Sequence, residues 1–196
     1  MKFNQSQTSA IQHKDGPMLV LAGPGSGKTA TLVERTKNLI LKYGVSPSNI
    51  LVITFTKAAA NEMKQRFQRE MQISNARVTF GTFHAIFFMV LKLAYNYNSS
   101  NIISDETKYQ AMRELINRYG LEYRDENEVI SGIFGEISMI KNSRIPLEHF
   151  YSTQCGEGVF RNIYREYESF LKKHRLIDFD DMLTLTYELF KERPDI

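Results

Sequence analysis

The chain has a single cysteine, Cys155, among 196 residues. One cysteine excludes an internal disulfide and a cysteine-based metal site, and its scarcity suits a reducing compartment. The four histidines stand too far apart in sequence to indicate a metal cluster. No apolar run approaches the roughly 20 residues that span a membrane, and the residues after Met1 are polar, unlike a secretory signal peptide. We therefore expect a cytoplasmic protein with no membrane partner.

Acidic residues are scarce in the first half of the chain, although the net charge is only +3. Residues 1–100 carry 12 Lys and Arg against 4 Asp and Glu, whereas residues 101–196 carry 13 against 18. A basic first half favours a polyanionic partner for that half. A solvated charged surface is the simpler explanation of charge alone, so a partner has to be argued from motifs.

Residues 18–29, MLVLAGPGSGKT, form the most informative motif. A short apolar run ends in a loop of small residues, and a Lys-Thr pair opens a predicted helix. Backbone N–H groups of such a loop can surround a phosphate, the lysine can reach the β- and γ-phosphates, and the threonine hydroxyl can hold Mg²⁺. A glycine-rich turn without a ligand is disfavoured, because strand, loop, Lys-Thr and helix follow in order. The predicted site comprises Ala22 (where the strict motif has glycine), Gly23, Pro24, Gly25, Ser26, Gly27, Lys28, Thr29 and Ala30.

Strands and helices alternate through the first 95 residues, which predicts a parallel α/β sheet. The predicted strands are 18–22, 50–54 and 78–80, and the predicted helices are 4–13, 28–42, 57–71 and 82–95. In the first helix, Asn4 and Gln7 have the spacing of a capping box. From residue 96 to 175 we predict helices only, near 105–119, 126–141 and 157–174. A last helix is predicted over 179–191.

Two Thr-Phe turns follow the second and third predicted strands. Thr54-Phe55-Thr56 and Gly81-Thr82-Phe83-His84 both fall where a parallel α/β sheet binds its ligands, at the carboxyl ends of its strands. Hydroxyls suit phosphate oxygens, and aromatic rings can stack on bases. Each turn alone is better explained by a helix cap, a core phenylalanine or a structural histidine. The repetition favours a groove for a polyanion, with Gly81 permitting the tight turn.

The acidic cluster Asp178, Asp180 and Asp181 resembles a carboxylate site for Mg²⁺ at first sight. Only two apolar residues precede it, whereas such a site needs a hydrophobic strand that ends in the acid. We expect Asp178 to cap the last helix, with Asp181 at the third position of that helix.

Taken together, these motifs resemble the N-terminal part of a superfamily 1 DNA helicase of the UvrD/Rep/PcrA group. The matching segments, in order, are FNQSQTSAI (Q motif), AGPGSGKT (Walker A), TFTKAAANEM (motif Ia), GTFH (motif Ib) and LIDFDDML. The family often has Asn-Lys after TFT, where this chain has Lys57-Ala58. The resemblance implies that Gln7 contacts the adenine of ATP. It also implies that Thr54, Phe55, Thr56, Thr82, Phe83 and His84 contact single-stranded DNA.

The fold implied by the resemblance is a RecA-like P-loop NTPase sheet, a truncated first motor domain, with an all-helical inserted subdomain. Residues 1–95 and 176–196 would form the motor domain, and residues 96–175 the insertion. The implied function is ATP-dependent, Mg²⁺-requiring 3′–5′ translocation on single-stranded DNA, with 3′-tailed duplex DNA as a further substrate.

No hydrophobic strand followed by Asp-Glu occurs after the P-loop, and no second motor domain is present. We therefore expect a fragment of a longer protein, with weak nucleotide binding and negligible ATPase activity by itself. Three alternatives stay open. They are a helicase–nuclease recombination subunit, a small P-loop phosphotransferase, and a non-catalytic nucleic-acid-binding module. The phosphotransferase would need an arginine-rich lid, and the arginines of the predicted insertion are scattered.

Overall fold

The computed structural model describes residues 2–75 and 77–195. It divides into two compact units, Met1–Ile86 and Phe87–Ile196. Helices predominate, and the described residues contain one small sheet of two strands. No helix in the described part of the chain has the length and apolar character needed to cross a bilayer.

The described residues of the first unit contain three complete α-helices and both strands. In chain order these are α1 (Gln5–Gln12), α2 (Lys28–Leu41), β1 (Leu51–Thr54), α3 (Lys57–Met71) and β2 (Thr79–Thr82). The boundary between the units falls within α4 (Phe83–Tyr95). As predicted, the strands are parallel, with Leu51 opposite Thr79 and Thr54 opposite Thr82. Both strands therefore end at the same edge.

The core of the first unit is built from β-branched and aromatic side chains beside the sheet. Val33, Ile50, Phe67 and Val78 are buried together, and the rings of Phe67 and Phe80 lie 5.7 Å apart. Helix α3 matches its predicted bounds. Thr56 caps its first turn by accepting a hydrogen bond from the N–H of Ala59 at 3.1 Å.

The predicted strand 18–22 is wrong: this segment has no regular secondary structure. A strand is held by a ladder of backbone hydrogen bonds to a neighbour, and the described residues supply none for this segment. Leu19 and Leu21 are 84% and 87% exposed, whereas Met18 and Val20 are less so, at 38% and 51%. Side-chain exposure therefore alternates along this segment as it does in a strand, although the described residues provide no partner strand.

The third predicted strand is also displaced. It covers Thr79–Thr82 rather than 78–80, and α4 begins at Phe83. Gly81 lies inside β2 opposite Ile53 and does not form the tight turn that we expected. A Cβ at this glycine would come within 2.9 Å of Ile86 Cδ1. Glycine thus allows the Ile86 side chain to pack closely here and does not serve chain reversal.

The second unit consists mainly of helices, and the helices predicted near 105–119, 126–141 and 157–174 are present. It contains α5 (Asp105–Arg118), α6 (Glu126–Ser143), α7 (Glu157–His174) and α8 (Phe179–Glu192). Its main core is an aliphatic and aromatic cluster from α5, α6 and α7, including Met112, Ile133, Phe160 and Tyr167. Residues 176–195 lie in this compact unit.

Candidate functional site

The glycine-rich loop between residues 22 and 28 has the backbone geometry of an anion cradle. Gly25 and Gly27 adopt left-handed conformations, with φ of +70° and +80°, which side-chain-bearing residues rarely adopt. Ser26 closes the loop, since its N–H and hydroxyl both donate to the carbonyl of Gly23, at 3.4 and 2.8 Å. Gly27 then caps α2, so the positive end of that helix and its free N–H groups adjoin the loop.

Lys28 is held over the loop. Its Nζ donates to the carbonyl oxygens of Gly23 at 2.7 Å and Ala22 at 3.3 Å, while the side chain remains exposed. Both carbonyl oxygens are neutral acceptors. A charged acceptor such as a phosphate oxygen would bind the ammonium more strongly and could replace them. Thr29 is half-buried at the second position of α2, and Ala30, the next residue, is buried.

Gln7 joins α1 to the loop. Its Oε1 accepts from the N–H of Asn4 at 2.9 Å, and Asn4 Oδ1 accepts from the N–H of Gln7 at 2.9 Å, which confirms the capping box. Its Nε2 donates to the carbonyl of Ser26 at 2.9 Å. The link to Ser26 was missed by the sequence reasoning, because no local spacing connects residues that far apart.

A cavity of about 360 Å³ adjoins this link. Its walls combine apolar side chains, including Met18, Val20 and Leu32, with the polar groups of Gln7 and Lys28. An apolar cavity with a few convergent polar groups is the usual form of a small-molecule site. Arg35, also in the wall, donates from one guanidinium nitrogen to the carbonyls of Ala10 and His13 at the end of α1.

The two Thr-Phe turns lie side by side at the carboxyl edge of the sheet. Thr54 and Thr82 are register partners, and the rings of Phe55 and Phe83 lie 5.7 Å apart at 52°. Phe55 is 92% exposed, so the core-phenylalanine interpretation is wrong for this residue.

Hydroxyl groups in both turns make local hydrogen bonds, and Thr56 is also the cap of α3. Thr82 Oγ1 accepts from the N–H of Ala85 at 3.2 Å, and Thr54 Oγ1 donates to the carbonyl of Thr56 at 2.8 Å. His84 lies half-buried in the first turn of α4. The structure thus brings the six predicted DNA-contacting residues to one sheet edge.

Comparison with known proteins identifies the family. Residues 3–196 match the UvrD/REP helicase N-terminal domain. The chain belongs to this family. It is 35% identical over 203 residues to the protein YjcD of Bacillus subtilis strain 168, an alignment that covers 99% of this chain and 26% of YjcD. It is 33% identical to the ATP-dependent DNA helicase PcrA of Leuconostoc citreum and 32% identical to PcrA of B. subtilis, with 99% of this chain and 27% of each relative covered. The chain thus spans about a quarter of the length of these relatives.

The segment LIDFDDML, shared by resemblance with UvrD-type helicases, begins α8 and has a structural role. Asp178 accepts from the N–H of Asp181 and Asp181 from the N–H of Asp178, at 2.8 and 3.0 Å, which confirms the predicted cap. The sequence reasoning missed the partner of these acids. Lys141 of α6 places its Nζ 2.7 Å from Asp181, 3.0 Å from Asp178 and 2.7 Å from Glu168.

The ion cluster around Lys141 is largely shielded from solvent. The side chains of Lys141 and Asp178 are only 4% and 2% exposed. Burial opposes the charge on Lys141, but the three carboxylates outweigh it and raise its pKa. Burial and the neighbouring Asp178 charge raise the pKa of Asp181 to about 6. Burial also acts to raise the pKa of Asp178, but the charge of Lys141 outweighs it and holds the pKa of that carboxyl below its usual value. The sequence did hold one signal for a buried lysine. Lys141 lies four residues after Ile137, and therefore on the same, buried face of α6.

Proposed function

We propose that this chain is the nucleotide-binding part of an ATP-driven DNA helicase. The observation that carries the proposal is the loop of residues 22–28, with two left-handed glycines and Lys28 held over its carbonyls. ATP would place its phosphates in this cradle, on the N–H groups of the loop and the start of α2. The Thr29 hydroxyl would hold Mg²⁺ together with phosphate oxygens.

The adenine would contact Gln7 beside the cavity that adjoins the loop. This role follows from the family resemblance, and the position of Gln7 in the cavity wall agrees with it. The relatives named ATP-dependent DNA helicase support ATP as the nucleotide. Mg²⁺ is the metal that suits triphosphate oxygens and a hydroxyl.

Single-stranded DNA is proposed to bind at the carboxyl edge of the sheet. The exposed ring of Phe55 beside Phe83 offers a stacking surface for bases, and the basic first half of the chain suits phosphates. Thr54, Thr56, Thr82 and His84 would add hydrogen bonds to the strand. Translocation from 3′ to 5′ and action on 3′-tailed duplexes follow from the resemblance to the UvrD group.

We further propose that the first unit belongs to a RecA-like motor domain. In this proposal residues 1–95 and 176–196 form the motor part, and residues 96–175 are an inserted helical subdomain. The unpaired apolar segment 18–22 supports it, because a parallel sheet buried on both faces has continuous apolar strands. A further strand of the longer polypeptide would provide the missing ladder.

Fluorescence anisotropy with a labelled single-stranded oligonucleotide tests the DNA-binding surface on the 196-residue chain. We expect salt-dependent binding that Phe55→Ala weakens about tenfold, within the ~1–3 kcal/mol that stacking a base on an aromatic ring supplies.

Tyr151→Ala is the matched control, because Tyr151 is another highly exposed ring, at 69%, far along the chain from both turns. It should leave the affinity unchanged. Equal affinities for the wild type and Phe55→Ala would remove this edge of the sheet as the DNA site.

A further inference from the structure

Three helices, α3, α6 and α7, end in the same kind of turn, around a left-handed residue that is not glycine. Gln72, Arg144 and Arg175 follow these helices with φ of +56°, +53° and +54°. In each turn the N–H of the next residue donates to the carbonyl five residues before it, at 3.0, 3.2 and 2.8 Å. Helix α5 ends in the same way on Gly120, and glycine is the residue that such turns usually have. The two arginines therefore need a reason other than the turn itself.

Arg144 links the end of α6 to the second half of α8. Its guanidinium donates to Glu188 Oε1 at 2.8 Å, and its central carbon lies 4.2 Å from the centroid of the Tyr187 ring. The Lys141 cluster holds only the start of α8. Arg144 therefore gives α8 a second point of attachment, farther along its length.

Arg175 links the end of α7 to the end of α4. Its guanidinium donates to the carbonyl of Tyr95, the last residue of α4, at 2.8 Å and lies 5.7 Å from the centroid of the Tyr97 ring. The carbonyl of Arg175 accepts from Asn101 Nδ2 at 2.8 Å. The backbone continues this pairing, because the N–H of Ile177 donates to the carbonyl of Asn101 at 2.7 Å. The segments that enter and leave helices α5–α7 are thus held side by side.

Gln72 shows the same turn without such a link. Its side chain is exposed, and it takes part in none of the side-chain hydrogen bonds or ion pairs found across the described residues. A left-handed backbone is less stable for a residue with a Cβ than for glycine. At Arg144 and Arg175 this cost is offset by side-chain contacts that glycine cannot make, whereas nothing offsets it at Gln72.

We propose that Arg144 and Arg175 are positioning residues that hold helices α5–α7 in one orientation relative to α8 and the end of α4. The two links start from the ends of different helices and reach different partners. Links at separate points restrict rotation of the block of helices, which a single link would allow. This inference concerns the second unit and does not depend on the proposed nucleotide and DNA sites.

Native-state hydrogen exchange on the 196-residue chain tests the links through the sign of the effect. Arg144→Gly and Arg175→Gly each remove a side chain and relieve a left-handed backbone in one step. Gln72→Gly is the matched control, because it relieves the same backbone and removes no link. It should slow exchange at the end of α3 about fivefold, the factor expected for one strained residue.

The arginine variants should have the opposite effect on the segments that they link. Exchange should become about threefold faster in residues 185–192 of Arg144→Gly and in residues 95–103 of Arg175→Gly, because two contacts worth roughly fourfold each outweigh the strain. Exchange within α6 and α7 should stay at the wild-type rate. Slower or unchanged exchange in the linked segments would show that the arginines only end their helices. An equal acceleration throughout the second unit would show a general loss of stability, and either result would overturn the inference.

Pairs of spin labels measure the orientation itself by electron paramagnetic resonance. The one native cysteine is first removed as Cys155→Ser. Labels at Asn162 of α7 and Lys191 of α8 then report on the first link, and labels at Asn162 and Lys92 of α4 report on the second. All three side chains are exposed, so the labels do not disturb the core.

The variant that carries both Arg144→Gly and Arg175→Gly should broaden both distance distributions. Gln72→Gly should leave both at the wild-type width. Distributions as narrow in the double variant as in the wild type would show that apolar packing alone sets the orientation, and the inference would be wrong.

Discussion

Gly25 and Gly27 share a left-handed backbone but differ in their surroundings. A Cβ on Gly25 would meet nothing within 4 Å, whereas a Cβ on Gly27 would meet the Gln7 amide at 3.0 Å. Alanine at either position carries the cost of a left-handed conformation, about 1–2 kcal/mol. Only at position 27 does it also press on the contact between α1 and the loop.

We therefore expect Gly27→Ala to destabilise the chain more than Gly25→Ala. The excess should be about 1 kcal/mol, because the displaced Gln7 loses roughly one net hydrogen bond. Urea unfolding of both variants, compared with the wild type, measures the difference. Equal losses of unfolding free energy would show that the contact between Gln7 and Gly27 contributes nothing to stability.

At this scale, the sequence predicted the residues whose role is local. The Asn4–Gln7 capping box and the Asp178 cap are set by spacings of three residues, and both are present. The Gln7–Ser26 bond and the Lys141 partners depend on tertiary packing between segments far apart in sequence. The spacing of residues along the sequence does not predict which distant residues will pair. The one hint was Lys141, a lysine on the mainly apolar face of α6.

Helices α6 and α8 are joined by polar contacts rather than by apolar packing alone. Ser138 and Asn142 donate to Asp180 at 3.0 and 2.7 Å, and Lys141 bonds Asp178 and Asp181 beside them. A buried pair of this kind is costly to break, because the remaining charge has no solvent to stabilise it. The acids are thus committed to fixing the start of α8.

The same cluster makes stability depend on pH. The pKa of Asp181 is about 6 in the folded chain, above the ordinary 3.8, so the folded state binds this proton more tightly than the unfolded state. The resulting stabilisation is fully present below pH 3.8 and is lost as the pH rises through about 6. Asp178 has a lowered pKa, and its contribution is lost only under more acidic conditions.

Through Asp181, the wild type should have a larger free energy of unfolding at pH 5 than at pH 7.5. Asp181→Asn should reduce this difference by about 1 kcal/mol. Urea unfolding at both pH values measures it. Asp180→Asn, in the same turn of α8, is the matched control and should retain the wild-type difference. Identical pH profiles for the wild type and Asp181→Asn would contradict the raised pKa of this carboxyl.

Helix patterns were more informative than strand patterns in this chain. Helices α3 and α7 have the bounds expected from periodicity and caps, because helix hydrogen bonds are local. Residues 18–22 have an equally apolar pattern but no strand, since a strand depends on a neighbour elsewhere in the chain. The two strands that form, β1 and β2, are hydrogen-bonded to each other.

For the molecule as a whole, the question is which step of ATP chemistry its residues can support. The first unit holds the glycine-rich loop proposed to bind phosphates, but phosphoryl transfer also needs carboxylates that orient Mg²⁺ and the attacking water. Across residues 2–75 and 77–195, no three His, Cys, Asp or Glu side chains gather in a way that could hold a metal ion. Asp178, Asp180 and Asp181 are each committed to partners within the helical unit.

We therefore expect the 196-residue chain to bind Mg-ATP without hydrolysing it at a measurable rate. Phosphate release measured at saturating ATP, with and without single-stranded DNA, should equal that of Lys28→Ala, which lacks the ammonium needed at the phosphates. Binding measured in parallel should separate the two proteins, because only the wild type retains the lysine. Phosphate release that depends on Lys28 would mean that a carboxylate already present in these residues completes the site. The acids of the first unit, Asp15, Glu34, Glu62 and Glu70, would then be the first to replace.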